Sequence, residues 1–171
     1  LIQLCASEHD NVSVLATMVL CNLSTCSSHE HEFIRGDLIQ VLSRVASCNC
    51  PASCNYAIMA LCNLTSMCRV RDLVARDVCL MQLFDLMKGV TVDCRVYTTM
   101  LICNLSSVEK HKAAILTAGG LFCLESFAAS AGDISLQRAS LLALYNLSAC
   151  DETLATIRQS GLIQFIVTAC Q

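Results

Sequence analysis

Apolar residues recur along the chain at spacings of three and four, interrupted by short polar or glycine-containing corners, which predicts helices and no strands. The segment from 109 to 148 shows the pattern clearly. Glu109 to Thr117 predicts a short first helix closed by Gly119 and Gly120, and Leu121 to about Ala129 a second. The polar corner Ala131-Gly132-Asp133 leads into a longer third helix ending near Ser148. In that helix Leu141, Leu144 and Leu147 recur at i,i+3, while Ala139 and Ala143 allow neighbouring helices to come close. Gly36, Gly119 and Gly161 share one place, between first and second helices, where a tight turn favours a residue tolerant of positive φ. Val78 departs from that pattern. Pro51 follows Cys48-Asn49-Cys50, so 47–54 reads as the connection before a third helix.

The same unit recurs. Leu20-Cys21-Asn22-Leu23-Ser24, Leu61-Cys62-Asn63-Leu64-Thr65, Ile102-Cys103-Asn104-Leu105-Ser106 and Leu144-Tyr145-Asn146-Leu147-Ser148 place their asparagines 41, 41 and 42 residues apart. A second series, Leu1, Leu38, Leu80, Leu121 and Leu162, keeps step with the first. Leu-Ile-Gln itself occurs at 1–3, 38–40 and 162–164. A three-helix unit of this size cannot hide its own apolar face, so its neighbours must cover it, and a stacked array follows.

With a period near 41, three helices per unit and Asn-Leu-Ser near the end of the third, the chain resembles the armadillo repeat family over essentially its whole length. The resemblance implies an all-α, right-handed superhelical solenoid, a single domain over 1–171 with third helices ending near 24, 65, 106 and 148. The units at both ends are incomplete, so the sequence reads as a piece of four to five repeats of a longer protein. HEAT repeats have a similar period without the recurrent Asn-Leu-Ser. In armadillo proteins that bind extended peptides, the third-helix asparagine lines the concave groove and hydrogen-bonds the peptide main chain. That role falls on Asn22, Asn63, Asn104 and Asn146. A primary amide carries both donor and acceptor, and helices about 8–10 Å apart would clamp every second or third peptide unit of an extended chain. The competing reading is structural: an amide near a helix end bonds free carbonyls or ties one repeat to the next. Each asparagine also heads an Asn-x-Ser/Thr sequon, as does Asn11, but glycosylation inside a packed helix is implausible.

One turn before the asparagines lie Met18, Met59, Met100 and Leu142, which share their face. Tyr56 and Tyr97 lie seven residues before Asn63 and Asn104, where the other units have Leu15 and Ala139. These residues would give the groove a soft apolar floor suited to aliphatic or aromatic side chains or to an amphipathic helix; the alternative is that the methionines belong to the core. Nuclear-import adaptors of the family commonly place tryptophan at this turn. This chain has no tryptophan, and its third helices are poor in acidic residues, Asp93 lying at the start of one.

Composition narrows the chemistry. The sequence is 55% hydrophobic and 15% charged, with net charge −3. Eleven Lys and Arg are scattered, Arg69, Arg71 and Arg76 being the nearest to a cluster, so no basic stripe for nucleic acid exists. No apolar run is long enough to insert in a bilayer, and no secretory signal pattern opens the sequence. Most of the fourteen cysteines stand in apolar runs, as Cys21, Cys62 and Cys103 do. They read as small packing residues in a reducing cytoplasmic or nuclear setting, not as a disulfide framework. Cys48-x-Cys50-x-x-x-Cys54, with His29 and His31 earlier, lacks the paired spacing of a zinc site. His9, His29, His31 and His111 read as solvated surface. No phosphate loop, nucleophile elbow or paired acid–base motif is present. The sequence therefore predicts a non-enzymatic, cofactor-free binding module whose partner is another protein. Basic-peptide recognition and self-association through exposed terminal helices are the alternatives.

Overall fold

A computed structural model describes residues 1–35, 37–88, 91–129, 132–161 and 164. The described residues are 81% helical, with no strand among them. Among the described residues twelve α-helices run in order: α1 Ile2–Cys5, α2 Asp10–Leu23, α3 Glu30–Arg35, α4 Leu38–Ala46, α5 Pro51–Thr65, α6 Cys68–Asp77, α7 Leu80–Met87, α8 Val92–Ser106, α9 Glu109–Thr117, α10 Gly120–Ala128, α11 Ile134–Ser148 and α12 Asp151–Gln159. A 3-10 turn, Ser27–His29, leads into α3. None of these helices is long and apolar enough to cross a membrane.

The order is a repeating one of first, second and third helices, and the long third helices form the spine. Helix α2 packs on α5, α5 on α8, and α8 on α11. Second helices α4, α7 and α10 lie against the third helix that follows each of them, while first helices α6, α9 and α12 pack on the third helix before them. The core consists of the same positions in each unit. Leu64, Leu105 and Leu147, the leucines of Asn-Leu-Ser/Thr, are buried, as are Leu61, Ile102 and Leu144. Leu38 and Leu121 of the second series are buried, Leu80 is half-buried and Leu1 is exposed; Leu162 lies outside the described residues.

Between first and second helices Gly119 has φ of 86° and Gly161 of 84°, the left-handed conformation predicted for that place, while Gly36 lies outside the described residues. Val78 instead adopts extended backbone at the end of α6. Gly120 serves a different purpose. A Cβ there would stand 2.7 Å from Phe84 and Ile115 side-chain atoms and 2.8 Å from the Ile115 carbonyl, so glycine lets the first and second helices close onto the preceding unit.

Two expectations need correction. The connection before the third helix is shorter than 47–54, because α5 begins at Pro51 with the proline in its first turn. A missing N–H costs nothing there and the fixed φ suits a helix. The cysteines also divide more evenly than their apolar neighbours suggest: six of the described ones are buried, whereas Cys26, Cys48, Cys68 and Cys79 are exposed. All thirteen described cysteines are free thiols. Burial raises the Cys21 and Cys103 thiols and pushes Cys62 up to about 12, which keeps these three protonated as small packing groups.

One buried side-chain polar atom is unpaired among the described residues, the Ser140 hydroxyl in α11. The equivalent places in α2 and α5 are Ala16 and Ala57, both buried. Ser140→Ala is therefore expected to stabilise the chain by about 1 kcal/mol, since it removes an unsatisfied hydroxyl and adds helix propensity. Urea unfolding of the two proteins checks this.

Candidate functional site

The repeated Cys-Asn-Leu-Ser/Thr segment forms a hydrogen-bonded joint between successive third helices. Ser24, Thr65 and Ser106 each donate their hydroxyl to the carbonyl three residues back, that of Cys21, Cys62 and Cys103, at 2.6–2.8 Å. The next unit's asparagine then reaches back to the same pair. Asn63 Nδ2 lies 3.0 Å from Ser24 Oγ and 3.5 Å from the Cys21 carbonyl. Asn104 Nδ2 lies 2.9 Å from Thr65 Oγ1 and 3.4 Å from the Cys62 carbonyl. Asn146 Nδ2 lies 3.2 Å from both Ser106 Oγ and the Cys103 carbonyl. The sequon-like hydroxyls of Ser24, Thr65 and Ser106 thus have a mechanical role.

This geometry realises the reading in which the amides tie one repeat to the next. The amide nitrogens of Asn63, Asn104 and Asn146 are engaged in joining repeats, so they do not stand free to bond a ligand carbonyl. Their Oδ1 atoms have no protein partner among the described residues, and the nitrogen's two acceptors fix the orientation of the amide. Asn22 differs. It is exposed and makes no such bond, because no unit among the described residues precedes it to supply the acceptors.

Around the amides the surface is apolar and mixed in burial. Met18, Tyr56, Met59 and Tyr97 are half-buried, with Tyr56, Met59 and Tyr97 packed in part on the core. Met100, Leu142 and Leu15 are exposed, and Ala139 is buried. Met100, Asn104 and Leu142 meet in one open cavity of about 660 Å³ between α8 and α11, joined there by Arg138, Leu141 and Tyr145. Sequence reasoning passed over these last three. The visible signal was Tyr145, which stands where the other units have cysteine. Charge is sparse and balanced: the four third helices carry Asp10, Asp93, Arg95 and Arg138.

Other charged groups act on the first-helix layer. Arg71 in α6 donates to the Thr65 carbonyl at 2.6 Å, the Ser66 carbonyl at 3.4 Å and the Ser107 hydroxyl at 2.9 Å. It therefore caps the end of α5, where a guanidinium also complements the helix dipole. His111 is not simple solvated surface, since its Nε2 lies 3.1 Å from Asp72 of the preceding unit, beside Lys110 at 2.8 Å. Hydrogen bonds from Lys110 and then His111 hold the Asp72 carboxyl below the usual range. Among the described residues no three His, Cys, Asp or Glu side chains converge to hold a metal.

No protein-family model matches the sequence, and no curated protein does either. Solved structures do match. An engineered protein superposes with TM-score 0.91 at 20% identity, covering 98% of this chain and 41% of its own. A computationally designed armadillo repeat protein for modular peptide recognition gives 0.87 at 15% identity, covering 94% and 68%. The fold is that of armadillo repeats. A further designed armadillo repeat protein, in complex with the peptide (KR)4, matches with TM-score 0.78 at 17% identity, covering 85% of this chain and 62% of its own.

Proposed function

We propose that the chain is a protein-interaction module, without catalytic activity, that binds an extended peptide segment along its third helices. The observation carrying this reading is the row of amides at Asn63, Asn104 and Asn146. Each is held in one orientation by the preceding unit, with an unpartnered Oδ1 beside half-exposed apolar side chains. Such a row accepts hydrogen bonds from peptide N–H groups once per repeat. Met59, Tyr97, Met100 and Leu142 then receive the ligand's apolar side chains. The peptide recognition for which a designed armadillo protein was made supports the same use of the fold. A basic ligand such as (KR)4 fits less well, because the third helices balance two carboxylates with two guanidiniums and supply no tryptophan.

A peptide-display selection against the chain tests this. Enriched peptides are expected to alternate apolar residues, and their affinity to fall at least about tenfold in a Met100→Glu/Leu142→Glu variant, which buries two charges under the ligand. Both residues are exposed, so the variant should keep its helicity. Retention of affinity by the variant, or enrichment of Lys/Arg-rich sequences alone, overturns the reading.

Self-association is a second reading with its own support. Val12, Val19 and Leu23 of α2 are exposed at places that are buried in α5, α8 and α11. Leu141 and Tyr145 of α11 are exposed where Thr17, Ile58 and Thr99, and Cys21, Cys62 and Cys103, are buried. These faces are the two halves of one recurring interface, and head-to-tail contact between copies would cover both. Concentration-dependent mass in sedimentation would favour it.

A further inference from the structure

At the N-terminal ends of the third helices, the same two positions face each other across successive interfaces. Between α2 and α5 they hold Ser13 and Ser53, with their hydroxyl oxygens 3.2 Å apart. One unit further, between α5 and α8, they hold Cys54 and Cys94, with sulfurs 3.9 Å apart. We propose that Cys54 and Cys94 are a peroxide-reactive dithiol that closes to a disulfide across the α5/α8 interface.

Four observations carry this inference, which does not depend on what the groove binds. The sulfurs are in contact already, and bond formation needs about 2 Å of closure, within reach of side-chain rotation. The pair borders an open cavity of about 300 Å³, lined also by Cys48, Pro51, Asn55 and Leu86, which admits an oxidant as small as hydrogen peroxide. Cys54 is half-buried, and Cys94 beside it, only 3% exposed, meets the outside through that same cavity. The two thiols are also unlike each other. The hydrogen bond from Cys54 lowers the Cys94 thiol to about 7, while that bond, followed by burial, raises Cys54. The buried thiols at 21, 62 and 103 have no such partner and are raised.

The Cys94 thiolate attacks one oxygen of hydrogen peroxide, breaks the O–O bond and becomes a sulfenic acid, and hydroxide leaves with the proton given up by the thiol to form water. Cys54 then attacks the Cys94 sulfur and expels the sulfenic oxygen, which leaves with the Cys54 proton as a second water. Two thiols are oxidised to one disulfide and one peroxide is reduced to two waters. The bridge would fix the separation of α5 and α8 a few residues from Tyr56 and Tyr97.

The test treats the folded chain with hydrogen peroxide, blocks remaining thiols with N-ethylmaleimide and maps the products by tandem mass spectrometry. The Cys54–Cys94 cross-link is expected to exceed any other pair by about tenfold, because contact geometry and not exposure selects it. Melting temperature should rise on oxidation and return on reduction. Cys54→Ser/Cys94→Ser should remove both effects and still fold, since Ser13 and Ser53 already fill these positions one interface earlier. Cys54→Ser alone should leave a sulfenic acid at Cys94 that dimedone traps. Cross-links confined to the exposed Cys26, Cys48, Cys68 and Cys79, or no dimedone adduct at Cys94, overturn the proposal.

Discussion

Shortening Leu105 to alanine is expected to destabilise the chain by about 3 kcal/mol, whereas the same change at Leu23 is expected to cost under about 1 kcal/mol. The two residues occupy the same place in Asn-Leu-Ser, so sequence alone would rank them equal. Leu105 is 1% exposed, between α8 and the helices packed on it, and its truncation leaves a cavity that rigid neighbours can only partly fill. Leu23 is 39% exposed on α2, so its truncation opens no closed cavity and part of the surface it loses is already in water. Urea titration of both variants measures the difference. Equal losses would mean that α2 is covered to the same degree as the inner third helices.

The second large effect concerns the joint. Asn63→Ala/Asn104→Ala removes two half-buried amide bonds to Ser24 and Thr65, a loss of about 1–1.5 kcal/mol each. Helix propensity returns roughly 0.5 kcal/mol per site, so the double variant should be less stable by about 1–2 kcal/mol. Asn22→Ala, which removes no such bond, should be neutral or slightly stabilising. Thermal melts of the three proteins decide the matter: an unchanged double variant would show that these bonds contribute nothing. The loss also means that alanine at these positions cannot separate binding from folding, which is why exposed Met100 and Leu142 are the better probes of the groove.

Much of the fold was legible because it is written four times. The Asn-Leu-Ser/Thr register located every third helix, and Glu109 to Thr117 appears in the structure with the predicted bounds. Local signals were weaker where one residue type serves two purposes. Pro51 reads equally as loop or as first turn, and only the structure places it in the latter. The joining role of the asparagines could have been anticipated from the hydroxyl two residues on, but spacing along the chain does not say which unit an amide faces. Arg71 and the Cys54–Cys94 pair were not legible, since each depends on contacts about 36–40 residues apart that a single sequence does not register.

The joint between units runs in one direction only. Asn63, Asn104 and Asn146 each bond acceptors that belong to the unit before, and those acceptors lie earlier in the chain. A growing polypeptide therefore completes the receiving half of every joint before the donating half emerges. The stack can be built in the order of its synthesis, each new unit docking on a finished template. Reversing the order of two units in an engineered chain would keep the joint only if both halves travelled with their helices.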